Sequence, residues 1–294
     1  MITTPLYRGR FAPSPTGYLH FGSLLTAVGS FLHARHHQGE WLVRIEDLDI
    51  PRNVQGASAA ILDTLIQLGM YWDGEVWYQS QRLTHYQTAL ACLNTRQLTY
   101  PCICPRRLTT GMIYSGYCRT HPPASFLAHA IRLKTNTDII RINDEIQGEI
   151  RQNLADSVGD FVLKRRDGIF AYQLAVVVDD AAQGITHIVR GVDLLDNTPR
   201  QCYLQTLLQY PTPYYAHLPL IVDTTGRKLS KQNHAPPINP THPIPLLYQV
   251  LKLLGQQPPL FLYNSTLPTF WEWAIAHWDT RKIPPTQTLN PMTV

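Results

Sequence analysis

The sequence predicts an α/β protein built on a parallel sheet, and three observations predict it. Strand-like and helix-like stretches alternate from Tyr7 to Leu68, the alternation stops through the middle of the chain, and it resumes beyond Asp156. With 294 residues and 44% hydrophobic content, the chain can bury a substantial core and should hold about two domains.

The first strand runs from Tyr7 to Phe11 and enters a turn carrying Pro13, Pro15 and Gly17. A helix follows from Leu19 to His37, where Leu24, Leu25, Val28, Phe31 and Leu32 recur at helical spacing, and Gly39 stands where a C-terminal cap belongs. Trp41 to Ile45 is a short apolar strand ending in Glu46-Asp47, and Val54 to Leu68 is a second helix that stops at Gly69. Residues 78–156 hold one helix, Arg82 to Leu93, then a cysteine- and arginine-rich stretch and polar segments; they read as an insertion between two halves of the sheet. Beyond it the reading is a buried strand over Phe170 to Val178, a strand over Ile185 to Arg190, and a helix over Pro199 to Tyr210 capped by Asn197 or Thr198. A strand over Leu218 to Val222 follows, then a proline-rich stretch with helices over Pro245 to Leu254 and Thr269 to His277.

Charge and composition narrow the function. A net charge of +4 and a pI near 8.8 tolerate a polyanionic partner without requiring one. No basic-then-apolar leader opens the chain, and no apolar run approaches the roughly 20 residues that span a bilayer. A cytoplasmic protein without membrane contact is the expectation. Of the five cysteines, Cys102, Cys104 and Cys118 crowd together. Such spacing favours metal or free thiols over disulfides. Three thiolates and one further donor make a closed structural zinc site, and Tyr114, Tyr117 and His121 all lie near enough in sequence to be that donor.

Two motifs carry phosphate chemistry. In Arg10-Phe11-Ala12-Pro13-Ser14-Pro15-Thr16-Gly17-Tyr18-Leu19-His20-Phe21-Gly22-Ser23, a strand feeds a turn and then a helix start. Gly17 and Gly22 let a base and a phosphate approach the backbone, the helix N-terminus offers amides to an anion, and His20 can donate to a phosphate oxygen. In Lys228-Leu229-Ser230-Lys231, two lysines three apart can grip a triphosphate as it becomes adenylate and pyrophosphate. His33, His36 and His37 also share a helix face, but in the last turns of a helix histidine is favoured by the dipole, and a solvated face is the simpler reading. Arg106-Arg107 and Lys164-Arg165-Arg166 are basic runs that could meet RNA phosphate.

Together the His-x-Gly-x and Lys-x-Ser-Lys signatures resemble those of class I aminoacyl-tRNA synthetases. Six ordered blocks between residues 8 and 235, GRFAPSPTGYLHFGSL, RIEDLD, DFVLKRRDG, LAVVVDD, HIVRGVDLL and KLSK, resemble the glutamyl-tRNA synthetases. The stretch after residue 236 is too short for the long helical half that reads the anticodon in that family. KLSKQNHAP and the Cys-x-Cys insertion resemble instead the shortened paralogous family, the glutamyl-queuosine tRNA(Asp) synthetases.

That resemblance implies a Rossmann-type parallel sheet in two halves, residues 1–78 and 158–236, an inserted zinc-bearing subdomain, acceptor-binding-like, at 79–157, and a short helical C-terminal region at 237–294. It implies that ATP and L-glutamate form glutamyl-adenylate without tRNA, and that glutamate then passes to the queuosine base of tRNA(Asp). Arg10 and Arg190 would hold the carboxylates, Glu46 the ammonium, and Tyr172 a hydrogen bond, with Ser14 beside them. Pro13, Gly17, His20, Gly22, Ser23 and Lys231 would bind ATP with Mg2+, and His20, Lys228 and Lys231 would assist catalysis. The family pattern selects Tyr114 as the fourth ligand of one structural Zn2+. A monomer is expected. The rival readings are a truncated synthetase charging tRNA(Glu), a nonenzymatic RNA-binding module, and an adenylating ligase for a small molecule; the acceptor separates them.

Overall fold

The structure, a computed structural model, describes residues 7–105, 113–124, 127–222 and 237–290. Its first half-sheet is β1 (Arg8–Phe11), α1 (Phe21–His36), β2 (Glu40–Ile45), α2 (Ala57–Gln67) and β3 (Trp77–Tyr78), with the strands parallel in the order β1-β2-β3. Parallel neighbours need a crossover, and α1 and α2 supply it. The middle contains α3 (Leu83–Thr95), β4 (Thr99–Cys102), α4 (Tyr117–Thr120), β5 (Ala130–Leu133), the hairpin β6 (Ile139–Asp144) and β7 (Gly148–Asn153), α5 (Leu154–Ser157) and β8 (Phe161–Lys164). The second half is α6 (Tyr172–Ala182), β9 (His187–Gly191), α7 (Thr198–Leu208) and β10 (Tyr214–Leu218). The chain closes with β11 (Leu220–Ile221), α8 (Pro243–Leu253), α9 (Leu267–Ala276) and β12 (Thr288–Leu289).

The two halves meet where the Thr186 amide donates to the Arg8 carbonyl at 2.9 Å, which sets β9 beside β1. β9 and β10 pair in parallel, with Arg190 opposite His217. The middle segment contributes to two sheets. β4, β5 and β8 form an antiparallel sheet of their own, while the β6–β7 hairpin reaches over to β10, placing Asp144 opposite Tyr215.

The main core lies between the first half-sheet and the C-terminal helices. Leu24, Leu25, Val28 and Leu32 of α1 pack with Trp41, Val43 and Ile45 of β2, and with Phe270 and Trp271 of α9. Each fully buried side chain of this size contributes about 2–3 kcal/mol. Trp271 stacks edge-on against Phe31, and its indole donates to the Leu68 carbonyl at 2.9 Å, so the C-terminal region is fastened to both α1 and the end of α2.

Five sequence expectations are corrected. Phe170 to Val178 is not a strand: the residues after Ala171 form α6, in which every residue from Gln173 to Asp180 is buried. A short apolar run rich in valine has no polar face to betray its period when neighbours cover it on all sides, and here α3, α7 and β8 do so. The strand expected over Leu218 to Val222 is interrupted at Pro219, which has no amide to donate, so β10 ends at Leu218 and β11 begins at Leu220. At the end of α1, Gln38 rather than Gly39 takes the left-handed conformation, with φ of 54°. Gly39 serves a different need, since a Cβ there would stand 2.4 Å from the Tyr7 carbonyl. The histidine face is not uniformly solvated: His36 and His37 are exposed, but His33 is buried, accepts from the Trp278 indole at 3.1 Å and sits 3.4 Å from a Glu145 carboxylate oxygen. The helix capped by Asn197 or Thr198 begins at Thr198, whose hydroxyl is engaged by Arg190 rather than by a helix amide.

Candidate active site

A cavity of about 520 Å³ opens where the C-terminal ends of β1, β2 and β9 face the N-terminus of α1. This is the position at which open parallel sheets bind ligands. Arg10, Pro13 and Ser14 come from the end of β1 and the turn beyond it; His20, Gly22 and Ser23 come from the start of α1. Glu46 follows β2, Tyr172 opens α6, and Arg190 belongs to β9. The structure therefore gathers nine of the anticipated residues around one space. Gly17 lies in the same turn but does not line it, and Lys228 and Lys231 fall outside the described residues.

His20 is the N-cap of α1: its Nδ1 accepts from the Ser23 amide at 3.3 Å, and its Nε2 lies 2.9 Å from the Ser23 hydroxyl. No acidic residue occupies the first turn of this 16-residue helix, so the helix end presents positive potential to the cavity.

The two arginines are held differently. Arg10 is 3% exposed, and its Nε and a terminal nitrogen donate to Asp180 at 3.1 and 3.4 Å. Arg44, fully buried behind it, donates to the same carboxylate at 2.8 Å and to Gln183 at 2.7 Å. Burial works to raise the Asp180 carboxyl, but Arg10 and Arg44 outweigh it and hold it below the usual carboxylate range. Asp179, next along α6, accepts from Arg82, Tyr86 and Gln79 at 2.6, 2.7 and 3.0 Å. Among the described residues, Arg190 has no carboxylate as a hydrogen-bond partner. It donates to His217, Tyr172, Thr198 and the Leu194 carbonyl.

Two acids, Glu46 and Asp193, line the cavity, and Glu46 is the one among the anticipated residues. Among the described residues its ion-pair partner is Arg44 at 3.9 Å, and burial pushes its pKa up to about 7 against the opposing pull of Arg44 and Arg10. A carboxyl destabilised in this way gains when a cation arrives.

Separately, Cys102, Cys104 and Cys118 place their three sulfurs within 4.8 Å of one another. The Tyr114 hydroxyl lies 3.4 Å from the Cys102 sulfur and 3.6 Å from that of Cys104, and accepts from the Cys118 amide at 3.1 Å. Arg132 donates to the Cys102 sulfur at 3.2 Å and lies over the Tyr114 ring. Burial alone would raise the Cys102 thiol, but hydrogen bonds from Tyr114, the Cys104 backbone and Arg132 carry it below the usual value. Thiol donors of this number and closeness suit a soft or borderline divalent metal. His121 lines the same small cavity as Cys104, Tyr114 and Cys118 but is not within the 4.8 Å cluster: it stacks on Tyr117, and its Nδ1 lies beside Thr120 and the Tyr117 carbonyl. Gly159 secures the arrangement, because a Cβ there would meet the Tyr114 carbonyl at 2.4 Å. The basic run Lys164-Arg165-Arg166 is tied to Gln87, to Asp49 and Asp167, and to the Ile103 carbonyl, while Arg106-Arg107 lies outside the described residues.

Asp179, Asp180, Asp144 and His217 are not marked as functional residues by the sequence. The signal for the first two is present in the text of the chain: two carboxylates ending an apolar run are expensive to bury and demand cationic partners. No local pattern marks His217.

The sheet, the cavity at its carboxyl edge and the capped helix end define a class I tRNA synthetase catalytic domain, and the family model for the class I tRNA synthetases (E and Q), catalytic domain, matches residues 7–109 and 124–239. Glutamate-tRNA synthetase from Elizabethkingia anophelis superposes with a TM-score of 0.82 at 25% identity, covering 96% of this chain and 67% of that one. Within the class, Glutamyl-Q tRNA(Asp) synthetase of Pseudomonas aeruginosa is 51% identical over 288 residues, 97% of this chain and 98% of the relative. The protein of that name from Thiobacillus denitrificans is 51% identical over 284 residues, 94% of each chain, and that from Neisseria meningitidis serogroup B is 50% identical over 290 residues, 95% and 98%. The chain belongs to the glutamyl-Q tRNA(Asp) synthetase family.

Proposed function

We propose that this enzyme activates L-glutamate with ATP, without needing tRNA, and transfers the glutamyl group to the queuosine base in the anticodon of tRNA(Asp). The observation that carries the reading is the convergence of Arg10, Arg190 and Glu46 in one cavity beside the His20-capped end of α1. An amino acid with two carboxylates and one ammonium has the complementary charges, and arginine holds a carboxylate through two oxygens at once.

In the first step the α-carboxylate oxygen of glutamate attacks the α-phosphorus of ATP, the bond to the bridging oxygen breaks, and pyrophosphate leaves. The protein needs no nucleophile of its own; it aligns the reactants and offsets developing charge. His20, Gly22, Ser23 and the α1 amides, with Pro13 and Gly17 in the preceding turn, serve the nucleotide. Lys228 and Lys231 of the Lys-Leu-Ser-Lys block would neutralise the departing phosphates, and Mg2+ bound with ATP supplies further charge compensation there. Arg10, Arg190, Tyr172 and Ser14 orient glutamate, and Glu46 receives its ammonium. In the second step a hydroxyl of queuosine attacks the glutamyl carbonyl, an ester forms, AMP leaves with the electron pair of the anhydride bond, and the hydroxyl proton passes to the departing phosphate or to water.

Cys102, Cys104 and Cys118, with Tyr114 as fourth donor, would hold one structural Zn2+ that braces the inserted segment 79–157 between the catalytic halves 1–78 and 158–236, with 237–294 as the helical closing region. None of the five cysteines is in a disulfide, in keeping with a reducing, cytoplasmic setting, and among the described residues no helix is long and apolar enough to cross a membrane. A monomer is the proposed working unit, and the described part of the cavity is lined by a single chain.

Glutamate-dependent ATP–pyrophosphate exchange by the pure protein, followed by transfer of labelled glutamate to tRNA(Asp) with and without queuosine, tests the reading. Exchange without tRNA and transfer only to the queuosine-bearing tRNA are expected. Charging of the tRNA(Glu) acceptor end in preference would overturn the acceptor assignment, and no exchange under any condition would overturn the enzyme.

A further inference from the structure

We propose that the buried Asp144–His217 couple is a positioning device for Arg190, fixing that guanidinium while leaving its positive charge uncompensated for a substrate carboxylate. The inference rests on the reading of this cavity as the glutamate site.

The parallel register of β9 and β10 sets His217 opposite Arg190, and both are buried, at 0% and 3% exposure. One imidazole nitrogen, Nδ1, lies 2.5 Å from Asp144 Oδ2. A carboxylate can only accept, so Nδ1 carries the proton. The other nitrogen, Nε2, lies 3.0 Å from Arg190 Nε. A guanidinium can only donate, so Nε2 must present its lone pair. The two neighbours therefore specify a single, neutral tautomer. Burial, the largest influence on His217, also favours the neutral ring, as does Arg190, against the pull of Asp144.

Asp144 is itself immobilised. Its side chain is fully buried, and Oδ1 accepts from the backbone amides of His217, Ile146 and Gln147 at 3.1, 3.1 and 2.9 Å. It ends β6, so the hairpin that leaves the inserted segment reaches Arg190 through one imidazole. The rest of the guanidinium is held by neutral oxygens: Tyr172 hydroxyl at 3.2 Å, Thr198 hydroxyl at 2.8 Å and the Leu194 carbonyl at 3.4 Å. Arg10, by contrast, is paired directly with the Asp180 carboxylate. A neutral acceptor fixes Arg190 in place without cancelling its charge; the carboxylate of Asp144 acts one ring further away.

Three variants test this in the exchange assay, with Arg190→Gln as the control. Asp144→Asn keeps an oxygen at Oδ1 but turns an amide N–H toward Nδ1, which drives the ring proton to Nε2 and sets it against the Arg190 N–H. His217→Asn removes the acceptor that Arg190 uses. His217→Gln reaches further along and restores an amide oxygen near the Nε2 position. Asp144→Asn and His217→Asn should raise the KM for glutamate about tenfold or more, with the KM for ATP unchanged and kcat within about threefold, and His217→Gln should recover most of the loss. The proposal is overturned if Asp144→Asn and His217→Asn keep the ordinary glutamate KM while Arg190→Gln raises it. Equal loss for both substrates, or no recovery with His217→Gln, would mark the couple as structural support alone and overturn it too. If Arg190→Gln itself leaves the glutamate KM unchanged, the glutamate-site reading fails, and that outcome is distinct from the others.

Discussion

Glu46 and Arg44 flank Ile45 at the end of β2, yet their charged atoms stay 3.9 Å apart because the Arg44 guanidinium is drawn to Asp180 at 2.8 Å. Glu46 is thus left half-buried beside a cation that is already committed, and its carboxyl rises to about 7. If this carboxylate receives the substrate ammonium, glutamate binding weakens as the group is protonated. The KM for glutamate should rise about tenfold as pH falls from 8 to 6, with the KM for ATP following a different course. A pH-independent glutamate KM would remove Glu46 from that role.

The same shift has a stability consequence. Glu46 has a folded-state pKa above the ordinary carboxyl value of 4.5, so the folded state holds the proton more tightly than the unfolded state. The resulting cost is absent below the unfolded value, grows as pH rises toward 7, and is complete above it, on the order of 3 kcal/mol. Glu46→Gln should therefore be more stable than the parent toward denaturant at pH 8, with the difference shrinking toward pH 4.5. A variant no more stable at pH 8 would contradict this.

Asp180 stands between two buried cations, Arg10 and Arg44. Asp180→Ala leaves both without their carboxylate and should cost about 3–5 kcal/mol, as removal of one member of a buried ionic network does. Urea denaturation measures the loss. Because Arg10 loses its anchor, the KM for glutamate should rise in whatever fraction still folds.

At the cysteine cluster, elemental analysis should find about one zinc per chain. Tyr114→Phe should weaken retention of the metal against a chelator by about tenfold or more, and His121→Ala should leave it unchanged. The reverse pattern would exchange the two residues as fourth donor.

Lys231→Ala should lose pyrophosphate exchange by at least about a hundredfold while equilibrium glutamate binding persists, since the lysine is assigned to charge that develops on the phosphates. Exchange at the ordinary rate would withdraw that assignment.

Much of the fold and of the cavity's inner face was legible in the chain, for a local reason. The run from Arg10 to Ser23 is contiguous, so a strand, a turn and a helix cap written side by side also lie side by side in space, and His20 reaches the Ser23 amide within one turn. Helical spacing of Leu24, Leu25, Val28, Phe31 and Leu32 is likewise a local property, and those residues do enter the core. The close thiol spacing of Cys102 and Cys104 needs little more than a strand end and one short helix to become a cluster.

Tertiary structure alone decided what long-range contacts determine. The apolar run after Phe170 is a helix because three elements cover it, and no period in the run itself says so. His33 is buried while His36 and His37 are not, a matter of where Trp278 and Glu145 arrive. Arg10 meets Asp180 across 170 positions, and Asp144 meets His217 across 73. Hydrogen bonds act over about 3 Å and carry no trace in sequence separation, so residues that line the cavity could be named from the chain, whereas those that hold them in place emerged only when the strands were laid side by side.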